Sequence, residues 1–188
     1  MQCGSCKERN CRNNQNCTKL TFEQVEAAYN KQDKQIILAA AKIEGEQITR
    51  LEESAKFAQA MGCKTIGVAF CMGLADEANF IVQYFEKYFT VHSVCCKVCG
   101  VGKKQFNPEF YKTKKTDIMC NPAIQAKQLN DAATELNFTV GLCVGHDMIF
   151  GLHSNVPVSA LATKDRVLSH NPLGAVYSGF SRKRLGLD

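Results

Sequence analysis

The chain has 188 residues, of which 45% are hydrophobic and 22% charged, and its formal net charge is +5. This composition is typical of a folded domain and excludes a disordered chain. The sequence has no apolar run long enough to cross a bilayer, and its first residues are too polar for a secretory signal peptide. We therefore expect a cytoplasmic protein with no membrane partner, whose cysteines stay reduced.

The first 18 residues form a cysteine-rich segment, which we call the head. Its four cysteines, Cys3, Cys6, Cys11 and Cys17, lie among Gly, Ser, Asn and Gln. The head has too few apolar residues to hold a fold by burial. Four thiolates complete a tetrahedral zinc site or hold one iron–sulfur cluster (4Fe-4S). The spacing therefore favours a structural metal site over a loose tail, and it leaves zinc and iron–sulfur as alternatives.

Helical patterns follow the head. Thr21 and Gln24 predict a capping box at the start of a first helix, and a polar stretch over 30–35 interrupts the pattern. Apolar residues then recur at helical spacing over 48–61, and Gly62 predicts the end of that helix.

Strands and helices alternate in the rest of the chain. We predict strands over 65–70, 91–98, 139–144 and 156–162, and helices over 75–89 and 121–136. The predicted fold class is α/β, with an open, mostly parallel, Rossmann-like sheet of about four strands flanked by helices. A small cysteine-rich metal-binding segment over 1–18 precedes it, and a single α/β domain with N-terminal helices covers 19–188.

Three Asn-Pro pairs, at 107–108, 121–122 and 171–172, are candidates for helix starts. Asn is a frequent N-cap residue and Pro suits the first helical position, so each pair predicts a helix start. A plain turn is an equal alternative for the first pair.

Several of the other cysteines lie where the predicted strands end or the next helix begins. They are Cys71, Cys95, Cys96, Cys120 and Cys143. In an open parallel sheet, ligands bind outside the carboxyl ends of the strands, so these thiols are predicted to share a second metal site. The alternative for each one is a buried cysteine that acts as a small hydrophobe. We assign Cys63 to that class, and Cys99 stays open.

Polar side chains follow the same strands. His146 and Asp147 come after the third strand and are the candidate catalytic residues, with His146 as a proton donor or ligand oriented by Asp147. Lys164 and Arg166 follow the fourth strand and are candidates for holding an anionic substrate. In the alternative interpretation, Asp165 and Arg166 form a structural pair and His170 caps a turn.

Five sequence blocks occur in an order that is characteristic of one family. They are FCMGLADEA, SVCCKV, MCNPAIQAKQLN, GLCVGHD and KDRVLSHNP. On these blocks the chain resembles an uncharacterised cysteine-rich family of anaerobic bacteria and archaea, a domain of unknown function regarded as metal-binding. The resemblance implies that the metal ligands are among Cys3, Cys6, Cys11, Cys17, Cys71, Cys95, Cys96, Cys120 and Cys143. It implies no reaction.

The sequence thus favours a metal-binding, iron–sulfur protein with one centre in the head and a second at the edge of the sheet. A small-molecule substrate or an electron-transfer partner is expected, with redox or sulfur chemistry. The alternatives are a zinc-stabilised, non-enzymatic binding module and thiol redox chemistry at Cys96 and Cys99. Each four-thiolate centre would carry about −2, which offsets most of the positive charge and does not favour a nucleic-acid partner. The oligomeric state stays open.

Overall fold

The computed structural model describes residues 2–107, 109 and 118–187. The chain divides into two compact units, Met1–Lys42 and Ile43–Asp188, and the head belongs to the first. Pro108, and with it the helix start predicted at 107–108, lies outside the described residues. No helix within the described residues is both long and apolar enough to span a bilayer.

The first unit contains two helices that begin with capping boxes. In α1 (Phe22–Ala27), the side chain of Thr21 accepts a hydrogen bond from the Gln24 backbone N–H, and the Gln24 side chain accepts one from Thr21, which confirms the predicted start. In α2 (Lys31–Ala41), Asn30 and Asp33 form a second box. The interruption predicted over 30–35 is wrong for most of that stretch, because Asn30 satisfies the first orphan N–H groups and lets the next helix begin at once.

The second unit is an α/β layer structure. Its elements in chain order are α3 (Arg50–Ala60), β1 (Thr65–Phe70), α4 (Ala75–Phe85), β2 (Thr90–Cys95), α5 (Lys103–Phe106), α6 (Pro122–Asp131), β3 (Leu136–Val140), α7 (Val144–His153), β4 (Val158–Ala162), α8 (Gly174–Tyr177) and α9 (Gly179–Arg184). The four strands are all parallel and lie in the order β2-β1-β3-β4. This arrangement confirms the predicted fold class.

The sheet is buried on both faces. Val68 of β1 and Phe138 of β3 lie in one cluster with residues of α3 and α4, where the Phe138 and Phe85 rings stack with centroids 5.2 Å apart. Ala69 of β1 lies in the other cluster, with Leu129 of α6 and Phe150 of α7. Successive strand residues point to opposite faces, so both faces need apolar residues and the strand reads as a continuous apolar run.

Several element boundaries differ from the prediction. Strand β3 begins three residues earlier and ends four residues earlier than predicted, and α7 was not predicted at all. Asn121 precedes α6 and Pro122 is its first residue, as predicted, whereas the helix expected at 171–172 begins only at Gly174. The missed helix has a cysteine, Cys143, at its N-cap position, and that residue makes no side-chain capping bond. Its start therefore carries no sequence signal.

The strand order places a crevice at one edge of the sheet. From β1 the chain continues to β2 on one side, whereas from β3 it continues to β4 on the other. The connections therefore diverge between β1 and β3, and this divergence opens a crevice outside the carboxyl ends of these two strands. Cys71 follows β1, and Gly141 to Cys143 follow β3.

Candidate functional site

A pocket of about 180 Å³ lies at this edge of the sheet. It is lined by Cys71, Met72, Gly73, Cys96, Lys97, Cys120, Leu142, Cys143, His146 and Arg166. Four of the five predicted strand-end cysteines therefore face one cavity. The cavity is smaller than the roughly 300–1,000 Å³ of pockets for drug-sized ligands, so it suits an ion, a cluster or a small molecule.

Main-chain hydrogen bonds that extend the sheet hold three of these cysteines. The Cys71 N–H donates to the Val140 carbonyl (3.0 Å), and the Cys96 N–H donates to the Phe70 carbonyl (2.8 Å). The N–H of Asn121, which follows Cys120, donates to the Cys96 carbonyl (2.8 Å). These thiols are therefore positioned by the rigid sheet rather than by mobile loops.

A buried glutamine supports the same edge. The Gln125 side chain is fully buried in α6, and its Nε2 donates to the carbonyls of Phe70 (3.2 Å) and Val94 (2.7 Å). It thus joins the carboxyl ends of β1 and β2 next to Cys71 and Cys96. Sequence analysis missed this residue because a polar residue within a helical pattern predicts an exposed position.

One pair of sulfur atoms lies at the spacing of metal ligands. Cys96 Sγ and Cys120 Sγ are 3.8 Å apart. With zinc–sulfur bonds of about 2.3 Å, two thiolates of a tetrahedral site stand about 3.8 Å apart, so this pair fits a metal. In the part of the chain that the structure describes, no three Cys, His, Asp or Glu side chains group closely enough to hold an ion. The site therefore consists of one pair at ligand spacing and two further thiols that face the same cavity.

Three of the thiols lie near a cation, and two of them contact it. Lys97 Nζ lies 3.4 Å from Cys120 Sγ, and it also donates to the Ile118 carbonyl (2.8 Å). Arg166 Nη2 lies 3.4 Å from Cys143 Sγ. Lys164, after β4, lies near Cys71: its Nζ and the Cys71 Sγ are each 3.9 Å from the same Cβ position at Gly73. Sequence analysis missed Lys97, although its position directly after Cys96 and β2 was a usable signal.

The thiols of Cys71 and Cys96 are perturbed in opposite directions. Burial alone would raise the pKa of Cys71, but the Gly73 backbone N–H and the Lys164 ammonium outweigh burial and lower the pKa below its usual value. Burial raises the pKa of Cys96 to about 12, although the Met72 N–H donates to its sulfur (3.3 Å). At neutral pH, Cys71 is therefore the more readily ionised thiol of the two.

The candidate catalytic residues lie in the first turn of α7. The backbone N–H groups of His146 and Asp147 both donate to the Cys143 carbonyl, at 2.8 and 2.9 Å. Burial and the nearby Lys97 lower the pKa of His146 despite Asp147, so its imidazole is neutral at pH 7. Burial raises the pKa of Asp147 despite the opposing effects of the nearby Thr139 and His146, and its Oδ1 is buried without a partner among the described residues. His146 lines the pocket, and the roles of both residues stay predictions.

The remaining predicted ligands, and Cys99, are not among the residues that line this pocket. Cys95 is half-buried at the end of β2, and Cys99 is exposed with a φ of 68°. The four cysteines of the head are all exposed, and two of them donate to nearby carbonyls: Cys11 to Arg9 and Cys17 to Gln15, both at 3.7 Å. Their metal binding, like that of Cys95, stays a prediction. Cys63 is buried in the core, as expected.

The structure also resolves the alternative interpretation of the segment after β4. The Asp165 backbone N–H donates to His170 Nδ1 (3.1 Å), and Asp165 Oδ1 accepts from the N–H groups of Val167 and Leu168 (both 2.9 Å). His170 and Asp165 therefore stabilise a turn, as the alternative holds. Arg166 contacts Cys143 instead of pairing with Asp165.

Fold and site define an α/β protein with a cysteine-lined pocket at the carboxyl edge of its sheet. The family model described as "Protein of unknown function (DUF1847)" matches residues 11–161, and the chain belongs to this family. An uncharacterised protein of Methanocaldococcus jannaschii is 40% identical over 189 residues, which cover 98% of each chain. No solved structure matches the chain. Since neither description names a reaction or a ligand, the function must be argued from the site.

Proposed function

We propose that this is a metal-binding protein, with an iron–sulfur centre (4Fe-4S) in the pocket and a second metal centre in the head. Redox or sulfur chemistry on a small molecule would take place at the pocket. The observation that carries the proposal is the convergence of Cys71, Cys96, Cys120 and Cys143 on one cavity. These cysteines come from four separate positions along the chain, and thiolates are the ligands that soft metals and iron–sulfur clusters prefer.

The size of the cavity favours a cluster or an open metal site over a closed structural one. In a closed zinc site four ligands surround the ion and leave no room for a further ligand. Here the four thiols are among the ten residues that line a cavity of about 180 Å³, and the pair at 3.8 Å accounts for only part of the lining. When bound, an iron–sulfur cluster supplies a one-electron couple or, with three protein ligands, an iron site open to a substrate.

The protein's own residues would do three things at this centre. The four cysteines would bind it, and Lys97 and Arg166, each 3.4 Å from a thiol, would compensate the charge of the thiolates. The neutral imidazole of His146 would face the same cavity as a proton donor or acceptor. Met72 and Leu142 would shield one side from water, which strengthens the electrostatic interactions inside.

A single zinc ion in the pocket is the second candidate. The 3.8 Å between Cys96 Sγ and Cys120 Sγ favours it, because in a cluster each thiolate binds its own iron and the sulfurs need not touch. A zinc ion with four ligands would make the protein a metal-stabilised, non-enzymatic binding module. An iron–sulfur protein purified without oxygen is brown, whereas a zinc protein is colourless.

The test is metal analysis of the full chain purified without oxygen. We expect the visible absorption bands that are typical of iron–sulfur proteins. We also expect iron and sulfide in equal amounts. Cys120→Ser should lose the centre in the pocket and keep the metal of the head. Cys63→Ser is the matched control, since Cys63 is buried away from the pocket. The proposal fails if Cys120→Ser and Cys63→Ser carry the same metal content as the unsubstituted protein.

A further inference from the structure

We infer that the ligand of the pocket is a small anion with a sulfur donor atom, held between the metal centre and the cations Arg166, Lys97 and Lys164. This inference rests on the proposed metal centre and adds the chemical class of its substrate. Three observations support it: the charges around the pocket, the size of the cavity and the thiols that line it.

Within the described part of the chain, the cations that surround the pocket form no ion pair with a carboxylate. Lys97 and Arg166 line the cavity and contact the thiols of Cys120 and Cys143 at 3.4 Å. Lys164 Nζ lies 3.9 Å from where a Cβ on the lining residue Gly73 would stand. The ion pairs among the described residues involve none of these three cations. Their positive charge is therefore directed at the thiols and the cavity.

A bound metal centre leaves this lining positively charged. Zinc with three thiolates carries a net charge of about −1, and an oxidised 4Fe-4S cluster with three thiolates carries the same. Lys97 and Arg166 of the lining, together with Lys164 beside the lining residue Gly73, supply three positive charges. About two positive charges then remain, or about one with a fourth thiolate. Lys97 and Lys164 are half-buried, where uncompensated positive charge is costly, whereas the exposed Arg166 is accessible to a ligand. A bound anion would compensate the half-buried charge. This surplus is the same for zinc and for a cluster, so the inference does not depend on the identity of the metal.

The cavity also limits the size and the donor atom of the anion. About 180 Å³ admits a molecule of a few non-hydrogen atoms beside a metal centre and excludes nucleotides and peptides. A metal held by thiolates is soft, and a soft metal prefers sulfur to oxygen as a further ligand. A small thiolate or thiocarboxylate meets both conditions, because its sulfur faces the metal and its negative charge faces Arg166.

The test compares two probes of the same shape by calorimetry without oxygen. Thioacetate is an anion with a sulfur donor, and thioacetamide is its neutral counterpart. The protein is the metal-loaded full chain in which the four head cysteines are serine, so that only the pocket holds metal. We expect thioacetate to bind at least about tenfold more tightly than thioacetamide, since hydrogen bonds to charged groups are each worth a factor of this order.

Substitution of the most exposed cation isolates its contribution. Arg166→Gln should reduce the ratio of the two dissociation constants about tenfold, and Arg166→Lys should restore part of it. Arg184→Gln is the matched control, because Arg184 lies in α9 and does not line the pocket. Comparing ratios removes the difference in intrinsic affinity between the two probes for the metal.

The outcomes separate this inference from the proposed function. If the pocket of the head variant holds no metal, the proposed function is wrong and the inference falls with it. If metal is bound but Arg166→Gln leaves the ratio unchanged, the anion inference is overturned and the metal centre stands. If metal is bound and neither probe binds, the centre is closed to ligands, which also overturns the inference.

Discussion

Two cysteines in the same pocket differ in both charge and access. Cys71 is half-buried and lies near Lys164. Cys96 is 2% exposed, and its sulfur accepts from the Met72 N–H and the Cys120 thiol but has no cation beside it. The thiolate, not the thiol, reacts with electrophiles and binds metal. The site therefore combines a readily ionised thiol with one that keeps its proton until a metal displaces it.

We predict that iodoacetamide alkylates Cys71 before Cys96 in the metal-free protein at pH 7.5. The reason is the lowered pKa of Cys71 together with its greater exposure. Peptide mass spectrometry after timed quenching measures both rates. Lys164→Met should slow the reaction of Cys71, whereas Lys127→Met, which removes an exposed lysine paired with Asp131, should not. Equal rates at the two cysteines would contradict the assigned environments.

Cys96 also makes stability depend on pH. Its thiol keeps the proton to about pH 12 in the folded state, whereas an ordinary cysteine ionises near 9.0. Ionisation of this thiol therefore stabilises the unfolded chain relative to the folded one as the pH rises above 9. The stabilisation is present in full below about pH 9 and is lost as the pH rises toward 12.

The measurement is urea unfolding of the metal-free protein at several pH values. Between pH 7.5 and 10.5 this one thiol should cost about 2 kcal/mol of the free energy of unfolding. In Cys96→Ala the fall over the same range should be smaller by that amount, and the difference between the two proteins isolates the thiol from other titrating groups. Parallel curves for the two proteins would refute the expected role of Cys96.

The packing between β1 and its neighbours depends on a glycine. A Cβ on Gly67 would lie 2.0 Å from Asn137 Oδ1 and 2.7 Å from Leu129 Cδ1. Asn137 cannot easily move, because its side chain is fully buried and hydrogen-bonded to Thr134 and Ser154 (2.8 and 2.9 Å). The observed packing of the sheet therefore requires a residue as small as glycine at position 67.

Gly67→Ala should lower the free energy of unfolding by about 2 kcal/mol or more, through overpacking. Gly151→Ala is the control, since nothing lies within 4 Å of its Cβ position in α7. That variant should gain up to about 1 kcal/mol, because alanine favours a helix. Denaturant unfolding measures both. A neutral effect of Gly67→Ala would mean that Asn137 and Leu129 repack freely.

The bounds of a helix or strand can be predicted from the sequence where burial constrains its residues. The run over Thr65–Phe70 was predicted at its observed bounds, because both faces of β1 are covered and every position is constrained. Helix α7 was missed because Val144, Met148 and Leu152 are 72%, 63% and 83% exposed. Apolar residues that face solvent give a pattern that does not reflect burial, and periodicity cannot be interpreted there.

The candidate site could also be predicted only in part: the positions of its cysteines were predicted, but its long-range side-chain contacts were not. Its cysteines could be placed because the end of a strand fixes which edge a residue reaches. The contacts of Lys97 with Cys120, or of Gln125 with Phe70, join positions 23 and 55 apart in sequence and depend on side-chain direction. No local pattern encodes these contacts.

The whole molecule has two units with different sources of order. The second unit has a buried sheet, whereas the head cysteines are all exposed and the segment has only short turns, such as the Cys6 N–H to Cys3 carbonyl bond (3.2 Å). Stability in such a segment must come from cross-links or a metal. The two proposed centres would then contribute to stability independently.

We predict that metal removal affects the head and leaves the sheet folded. In hydrogen–deuterium exchange, amides 3–17 should be protected in the metal-loaded protein and exchange much faster after chelation. Amides of β1 and β3 should change little, because their hydrogen bonds are buried. Cys6→Ser should reproduce the effect of chelation in the head. Unchanged exchange over 3–17 after chelation would contradict a metal-ordered head.

The spread of the pocket cysteines from position 71 to 143 has a consequence for biosynthesis. The four head thiols precede all four strands in the chain, so a metal could bind the head while the sheet is still untranslated. The pocket, by contrast, exists only after β3 has inserted beside β1, since non-local contacts form late and a chain is made from its N-terminus. If both proposed centres form, the head would be able to receive its metal first, whereas the sheet edge would be filled only after translation of the third strand.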